Sequence, residues 1–219
     1  MKPEIKKEHL IPVFESKYVN VFDFQYAEGK HYYNVTRRAK DNVMAIKATK
    51  DFKASLPDAV TCVVILNIKD QEPKLLLHYE FRYPAGQFLI SPAAGLLDPE
   101  DAEAKDPVLA TAVREIKEET GLTIKDTDKL FTINPLLFST PGMTDESNAL
   151  VCAVVNLEDT SSLSQAGAVG AECFNGFELL TKEEAKTMLQ NGRDKEGIFY
   201  SIFTWAALMY FVSDLWKDA

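Results

Sequence analysis

One helix with clear signals at both ends is the feature that most constrains how this chain can fold. Asp106 can accept hydrogen bonds as the N-cap, and Pro107 suits the first helical position. The helix is expected to end at Thr120, because Gly121 suits the left-handed position that follows a helix. At about 100° per residue its less polar side chains share one face, formed by Leu109, Ala112, Val113, Ile116 and Thr120. We therefore expect this helix to pack on a sheet.

Three glutamates, Glu115, Glu118 and Glu119, follow one edge of this apolar face. Carboxylates three and four residues apart repel each other, so a bare helix gains no stability from them. The arrangement becomes favourable if a hard divalent cation such as Mg²⁺ lies among the oxygens. Arg114, four residues before Glu118, can orient that carboxylate by a charge-assisted hydrogen bond. The alternative is a solvated acidic face, and the helix pattern alone does not choose between the two.

The rest of the chain contains many apolar, β-branched segments separated by turns. Tyr18–Tyr26 and Tyr32–Arg38 predict a hairpin, and Asn42–Ala48 predicts a third strand. Further strands are predicted at residues 60–68, 75–79, 87–91, 131–138, 149–157 and 174–180. The acidic residues 99–107 are expected to form a loop before the helix.

Two more helices are predicted near the C-terminus. Thr181 and Glu184 form a capping box for a helix that ends near Gly192, and the last helix covers residues 198–216. Strands, a helix, more strands and then helices indicate a mixed α/β or α+β fold. We expect a small N-terminal antiparallel β domain at residues 1–55 and a core domain at residues 56–219.

The net charge of −9 limits the partners of the chain. An acidic protein is a poor candidate for binding nucleic acid, because the phosphate backbone requires a basic surface. An anionic substrate would need a metal ion or a few well-placed arginine and lysine side chains. The sequence therefore predicts neither a nucleic-acid partner nor a membrane partner.

The cysteines, the N-terminal residues and the longest apolar stretch together predict a soluble cytoplasmic protein. Cys62, Cys152 and Cys173 have no C-x-x-C spacing, and we expect free thiols in a reducing compartment. Residues 1–10 are charged and lack the apolar core of a signal peptide. The longest apolar stretch, residues 198–212, is short for a membrane span and is interpreted as a buried helix.

The segment Arg114–Leu122 resembles the second half of the signature of the Nudix hydrolases at every fixed position. In that family the signature is Gly, five residues, Glu, seven residues and then Arg-Glu-U-x-Glu-Glu-x-Gly-U, where U is aliphatic. Gly95 would open the signature, but it precedes Arg114 by 19 residues instead of 14. The five-residue insertion leaves the first acidic position ambiguous among Asp101, Glu103 and Asp106.

The resemblance implies an α/β/α sandwich with a mixed sheet and a hydrolase that acts on nucleoside diphosphates linked to another group. It implies that Mg²⁺ or Mn²⁺ is bound by Glu115, Glu118, Glu119 and the backbone carbonyl of Ala94. The cation would neutralise the diphosphate, activate water and stabilise the leaving phosphate. This would answer how an acidic protein binds an anionic substrate.

The flanking segments resemble the ADP-ribose and ADP-sugar pyrophosphatases of that family, from about Lys17 to Leu208. The resemblance implies that Tyr18 and Tyr32 stack on the base, for which tyrosine is well suited. It also implies that Arg37 contacts the substrate. Arg82, in Phe-Arg-Tyr-Pro, would bind a phosphate with two hydrogen bonds. The segment Ser139–Glu146, which contains Gly142, resembles a substrate-binding loop of these enzymes. Tyr18 and Tyr32 could instead be ordinary strand aromatics, and Arg82 could form a surface ion pair.

Glu172, before a predicted strand, matches a position from which a mobile loop delivers a water-positioning glutamate in the subfamily. Such a base must come within hydrogen-bond distance of the water, and closure of the loop could bring it there. Glu146 is the alternative candidate. Ser91 departs from the pattern of this subfamily, in which an acidic residue often stands four positions before the glycine that corresponds to Gly95.

The resulting expectation is Mg²⁺-dependent hydrolysis of ADP-ribose or a related ADP-sugar to AMP and a sugar phosphate. The alternatives are the same chemistry on another nucleotide sugar, such as UDP-glucose or GDP-mannose, or a domain that senses nucleotide sugars without hydrolysing them. A homodimer formed through the N-terminal β domain is expected from the resemblance alone.

Overall fold

The computed structural model describes residues 3–218. Met1, Lys2 and Ala219, which are the outer ends of the two predicted domains, lie outside the described residues. The strands are β1 (Leu10–Glu15), β2 (Asn20–Phe24), β3 (Tyr33–Thr36), β4 (Ala59–Ile68), β5 (Lys74–Arg82), β6 (Gln87–Ser91), β7 (Ala93–Leu96), β8 (Lys129–Phe138), β9 (Ser147–Leu157) and β10 (Phe174–Leu180). The α-helices are α1 (Thr49–Lys53), α2 (Pro107–Thr120), α3 (Lys182–Asn191) and α4 (Ile202–Ser213).

Backbone contacts divide the chain into two compact units. The first unit contains the residues up to Asp58 together with Leu136–Asn148. The second contains Ala59–Pro135 and the residues from Ala149 onward. The N-terminal unit therefore includes a segment that is distant in sequence.

The N-terminal unit contains a three-stranded antiparallel sheet in the order β1-β2-β3. The predicted hairpin is present as β2 and β3, but the prediction of a strand at Asn42–Ala48 was wrong. That segment contains the last residue of one 3₁₀ helix (Lys40–Asn42) and all of another (Met44–Ile46). Val43 and Met44 are buried there, and the Met44 N–H donates to Asp145 Oδ2 at 2.9 Å. β1, which was not predicted, supplies the third strand.

The core unit is built on a seven-stranded mixed sheet. Its main order is β10-β5-β4-β9-β8, with β6 paired to β5 and β7 paired to β4. α2 packs on one face of the sheet through Val108, Ala112 and Ile116. α3 and α4 pack on the other face, against β4, β5, β6 and β10. The predicted α/β/α fold with a mixed sheet, preceded in the sequence by a small antiparallel β sheet, is confirmed.

α2 begins and ends where its local signals predict. Asp106 Oδ1 accepts a hydrogen bond from Leu109 N–H at 3.1 Å, and Gly121 follows the helix with φ of 76°. Val113, expected on the packed face, is 40% exposed at the edge of the interface. Because its caps fix both ends of α2, they also fix which side of the helix each glutamate faces.

The C-terminal segment is helical over a shorter range than predicted. α4 starts at Ile202, where Ser201 caps it, and a separate 3₁₀ turn follows at Leu215–Lys217. Ala207, Leu208 and Phe211 are buried on α4. Over residues 3–218, every helix is too short or too polar to cross a membrane.

Candidate active site

Arg114 organises the acidic groups on the exposed edge of α2. Its Nη1 lies 2.7 Å from Glu115 Oε1 and 3.1 Å from Glu118 Oε2, so the predicted pairing with Glu118 is present. Its Nη2 donates to Asp101 Oδ2 at 2.8 Å and to the Leu96 carbonyl at 2.9 Å. The guanidinium thus joins the helix to the acidic loop and to the end of β7.

The structure distinguishes the three acidic residues that the inserted loop offers. Asp101 Oδ2 accepts from Arg114 and also from Thr111 Oγ1 at 3.1 Å. Although burial favours the neutral carboxyl, the hydrogen bonds from Arg114 lower the pKa of Asp101 below its usual value. Asp106 caps the helix and Glu103 is exposed. Asp101 is therefore the residue that supports Arg114, a choice that the sequence left open.

Glu115 and Glu119, one helical turn apart, are the buried pair of the three glutamates. They are 5% and 2% exposed. Glu119 Oε2 accepts a hydrogen bond from the Ala94 N–H at 3.0 Å. Glu115 occupies the space beside Gly95, where a β-carbon would lie 1.8 Å from its Oε1. Both carboxylates therefore lie against the backbone of β7.

Burial raises the pKa of both carboxyl groups. Loss of water raises the pKa of Glu115 to about 7, although the neighbouring Arg114 opposes this shift. For Glu119 the pKa is raised to about 9, because burial outweighs the hydrogen bond from Ala94 and the charges of Glu115 and Glu80 add to it. A further positive charge beside the pair would favour the ionised form of both groups at neutral pH.

The donor set suits a hard divalent cation. Within residues 3–218, no three Asp, Glu, His or Cys side chains already form a cluster for a metal ion. Glu115 and Glu118 face Arg114 instead of converging. The available donors are nevertheless carboxylate oxygens on one side of a rigid helix, which are the ligands that Mg²⁺ and Mn²⁺ prefer. Because the pKa values of Glu115 and Glu119 are raised, a bound cation would stabilise the ionised forms of these two carboxyl groups.

Glu172 belongs to the loop between β9 and β10, residues 158–173, which is anchored on α2. The Ser164 N–H donates to the Thr120 carbonyl at 2.9 Å, and Gly167 lies directly against the backbone of Glu118. Glu172 itself is exposed and accepts the Val169 N–H at 2.8 Å. Its negative charge contributes to the raised pKa of both Glu115 and Glu119. The predicted loop glutamate therefore lies near enough to the carboxylate pair for its charge to act on both groups.

β5 places a row of polar side chains beside the pair. Arg82 Nη2 lies 2.7 Å from Glu80 Oε2, and the arginine side chain is 43% exposed. Two residues earlier, His78 is buried, with Nε2 3.8 Å from Glu119 Oε2. Sequence reasoning identified Arg82 but missed Glu80 and His78. The period of two along a strand was the signal that could have found them.

The remaining predicted substrate-binding residues lie in the N-terminal unit. Tyr32 donates from its hydroxyl to the Gly142 carbonyl at 2.6 Å. Arg37 Nε lies 2.6 Å from Glu146 Oε1, so the alternative water-positioning residue is held in an ion pair. Tyr18 is 71% exposed, with Lys17 Nζ 5.2 Å from the ring centroid. An exposed aromatic ring is available for stacking, while Tyr32 and Arg37 also hold the segment 142–146.

Comparisons with known proteins agree on the family. An ADP-ribose pyrophosphatase from Saccharomyces cerevisiae (strain ATCC 204508 / S288c) is 34% identical over 101 residues, 46% of this chain and 40% of the relative. A putative nudix hydrolase 2 from Caenorhabditis elegans is 29% identical over 140 residues, 64% of this chain and 57% of the relative. The chain thus spans about half the length of these curated relatives.

The fold is similar to that of a crystal structure described as an ADP compounds hydrolase. The TM-score is 0.60 at 18% sequence identity, and the match covers 100% of this chain and 97% of the other. At that identity the match concerns the fold alone. The model of the NUDIX domain matches residues 55–198, the region that carries α2, the carboxylate pair and Glu172. By this match the chain belongs to the Nudix family.

Proposed function

We propose that the protein hydrolyses the diphosphate bond of ADP-ribose or a related ADP-sugar, in a reaction that depends on Mg²⁺ or Mn²⁺, to AMP and a sugar phosphate. The buried pair Glu115 and Glu119 is the observation that carries the proposal. Two carboxyl groups with pKa values raised to about 7 and about 9 are costly to bury unless they bind a positive charge. The same charge would attract a diphosphate.

Glu115, Glu118, Glu119 and the Ala94 carbonyl would hold the cation. When bound, the cation supplies charge neutralisation for the diphosphate and activation of water. Arg114 orients Glu115 and Glu118 through its Nη1. The Ala94 N–H, which already holds Glu119, fixes the backbone beside that carboxylate.

Other side chains would bind the substrate and orient the water. Arg82 would contact a phosphate, since its side chain is 43% exposed. Glu172 would orient the attacking water and accept its proton, which suits an exposed carboxylate close to the buried pair. Tyr18 and Tyr32 would stack on the base and Arg37 would contact the substrate. Gly142 would contribute through the segment that Tyr32 holds.

The name of the yeast relative supports an ADP-linked substrate. A second nucleotide sugar, such as UDP-glucose or GDP-mannose, is favoured by one observation at position 91. Ser91 is buried and is the register partner of His78. A short hydroxyl side chain at this place offers no charge for recognising a terminal sugar.

We also propose that residues 1–55 act as a domain that binds the base and forms a homodimer. Ile11, Val13 and Phe14 on the edge strand β1 are between 41% and 57% exposed, which supports an interface. Sedimentation that gives only a 24.5 kDa monomer would reject the dimer. The free thiols of Cys62, Cys152 and Cys173 support a cytoplasmic location.

The decisive experiment is a substrate panel with purified protein and Mg²⁺. ADP-ribose, ADP-glucose, UDP-glucose and GDP-mannose are assayed for release of the nucleoside monophosphate. We expect AMP from ADP-ribose or ADP-glucose, and loss of turnover in Glu119→Gln. Glu103→Gln, which changes an exposed carboxylate of the same region, is the matched control and should keep full activity. Absence of turnover of every nucleotide sugar would reject the hydrolytic function, and tight binding of ADP-ribose without product would support a sensing domain instead.

A further inference from the structure

His78 is a buried imidazole that lies next to the carboxylate pair and has no task in the proposed reaction so far. Its side chain is on β5 and the residue is 1% exposed. Among residues 3–218, its Nε2 atom finds no hydrogen-bond partner. The nearest acidic atoms are Glu119 Oε2 at 3.8 Å and Glu80 Oε2 at 3.9 Å. The nitrogen therefore lies between two carboxylates, just beyond hydrogen-bond distance of each.

Packing alone does not explain a histidine at this position. An unpaired polar nitrogen is costly in the interior, whereas an apolar side chain would fill the same space without that cost. Phe174 covers the ring, with the two ring centroids 4.8 Å apart. Ser91, the partner of His78 in the β5–β6 register, is small and leaves room for the imidazole. The surroundings thus fix the ring while leaving Nε2 directed at the acids.

The two neighbouring carboxylates are themselves held at defined places. Glu80 Oε2 is paired with Arg82, and Glu119 Oε2 accepts the Ala94 N–H. The order of contacts runs from Arg82 through Glu80 and His78 to Glu119. Closing the gap between Nε2 and Glu119 to a hydrogen bond of about 3.0 Å requires a movement of only about 0.8 Å.

We propose that His78 is a positioning residue, which donates an Nε2–H hydrogen bond to Glu119 and orients it toward the divalent cation. The inference rests on the proposed function, because it assumes that Glu119 is a ligand. Outer partners of this kind fix the orientation of a ligating side chain, and their loss typically weakens metal binding about 10- to 100-fold. The contact to Glu80 extends the same link to Arg82, the proposed phosphate contact.

The test uses two variants of the full chain and Mn²⁺ as the probe. His78→Gln keeps an N–H donor at a similar reach, and His78→Leu has a similar volume with no donor. The Mn²⁺ dissociation constant is measured by electron paramagnetic resonance without substrate. His78→Leu should weaken binding about 10- to 100-fold, whereas His78→Gln should stay within about threefold of the wild type.

A matched control separates positioning from packing. Leu76, two residues earlier on β5 and also buried, faces the same side of the sheet. Leu76→Val should lower the urea midpoint of unfolding while leaving the Mn²⁺ dissociation constant unchanged. If His78→Leu and Leu76→Val shift Mn²⁺ binding equally, the role of His78 is structural and the proposal is wrong.

A measurement on the wild type covers the case in which His78→Leu does not fold. The chain has three histidines, His9, His31 and His78, so ¹⁵N-histidine spectra are simple to assign. Addition of Mg²⁺ should produce a slowly exchanging Nε2–H signal from His78, and an Nε2 without a proton in the Mg²⁺-bound protein would overturn the proposal. An active wild type with unchanged His78→Leu rejects only the role of His78. A wild type that binds no Mn²⁺ and turns over no nucleotide sugar rejects the proposed function as well.

Discussion

Substitution of Gly95 by alanine tests the geometry of the carboxylate pair most directly. The added β-carbon would lie 1.8 Å from Glu115 Oε1 and 2.0 Å from its Cδ, whereas ordinary contact begins at 3.4 Å. The carboxylate would have to retreat by about 1.6 Å. β7 cannot easily move in its place, because Gly95 is paired with Val60 on β4. Glu115 must therefore give way.

The displacement should affect stability moderately and activity strongly. Overpacking of a buried site costs about 1–3 kcal/mol. For a chain of this size such a loss lowers the melting temperature by about 2–12 °C. Misplacement of a catalytic group by about 1 Å can reduce the rate about 100-fold. We therefore expect Gly95→Ala to fold, to melt a few degrees lower, and to lose at least about 100-fold in kcat/KM for its nucleotide sugar.

A double-mutant cycle assigns the effect to Glu115. The free energy of unfolding is measured by urea denaturation for wild type, Gly95→Ala, Glu115→Ala and the double variant. With the Glu115 side chain removed, the new methyl group has room, so Gly95→Ala should cost little in that background. If Gly95→Ala destabilises both backgrounds by the same amount, the close approach of Gly95 and Glu115 is refuted.

Three further predictions concern the support of the site. Asp101→Asn should lower stability at pH 7 but have a smaller effect below about pH 4. The pKa of Asp101 is lowered in the folded state, so its ionised carboxylate stabilises the fold, and this stability is lost as pH falls through the folded pKa. Urea midpoints of unfolding measured across this pH range test the expectation. Gly167→Ala should reduce kcat about 10- to 100-fold, since its β-carbon would lie 2.4 Å from the Glu118 carbonyl oxygen and lift the β9–β10 loop. Tyr83→Phe should reduce kcat about 2- to 10-fold with unchanged Mn²⁺ affinity, because a hydroxyl hydrogen bond of 3.2 Å to that loop is lost.

Each of these predictions has a result that contradicts it. If the stability difference between wild type and Asp101→Asn stays constant from pH 7 to pH 3, the ion pair of Asp101 with Arg114 contributes nothing to the free energy of unfolding. Full kcat in Gly167→Ala would show that the loop does not need its close contact with α2. Weaker Mn²⁺ binding in Tyr83→Phe would place the effect in the metal site instead of the loop.

Elements with local signals were predicted well. The capping residues Asp106 and Gly121 predicted the ends of α2, and Thr181 predicted the start of α3. Both helices have the expected bounds. The hairpin β2–β3 and the buried strands β4 and β9 follow from runs of β-branched and aromatic residues. Such signals act between residues that are close in sequence, so each element can be predicted from its own residues alone.

Elements that depend on distant partners were missed. Residues 42–48 have the composition of a strand, but Met44 N–H binds Asp145, about a hundred residues later. β1 contains Pro12 and is mostly exposed, so its sequence resembles a loop until β2 provides the partner. The competing interactions become visible only when the chain is folded.

The sequence by itself determined the helix that carries Arg114 and the three glutamates, together with the family that this pattern indicates. Helix periodicity and capping are local, so these features follow from the order of residues. Only the tertiary structure decided that Asp101 holds Arg114, that Glu115 and Glu119 are the buried pair, and that His78 lies beside Glu119. The physical reason is that burial, and with it each raised pKa, is created when α2 packs on the sheet and removes water from side chains that are far apart in sequence.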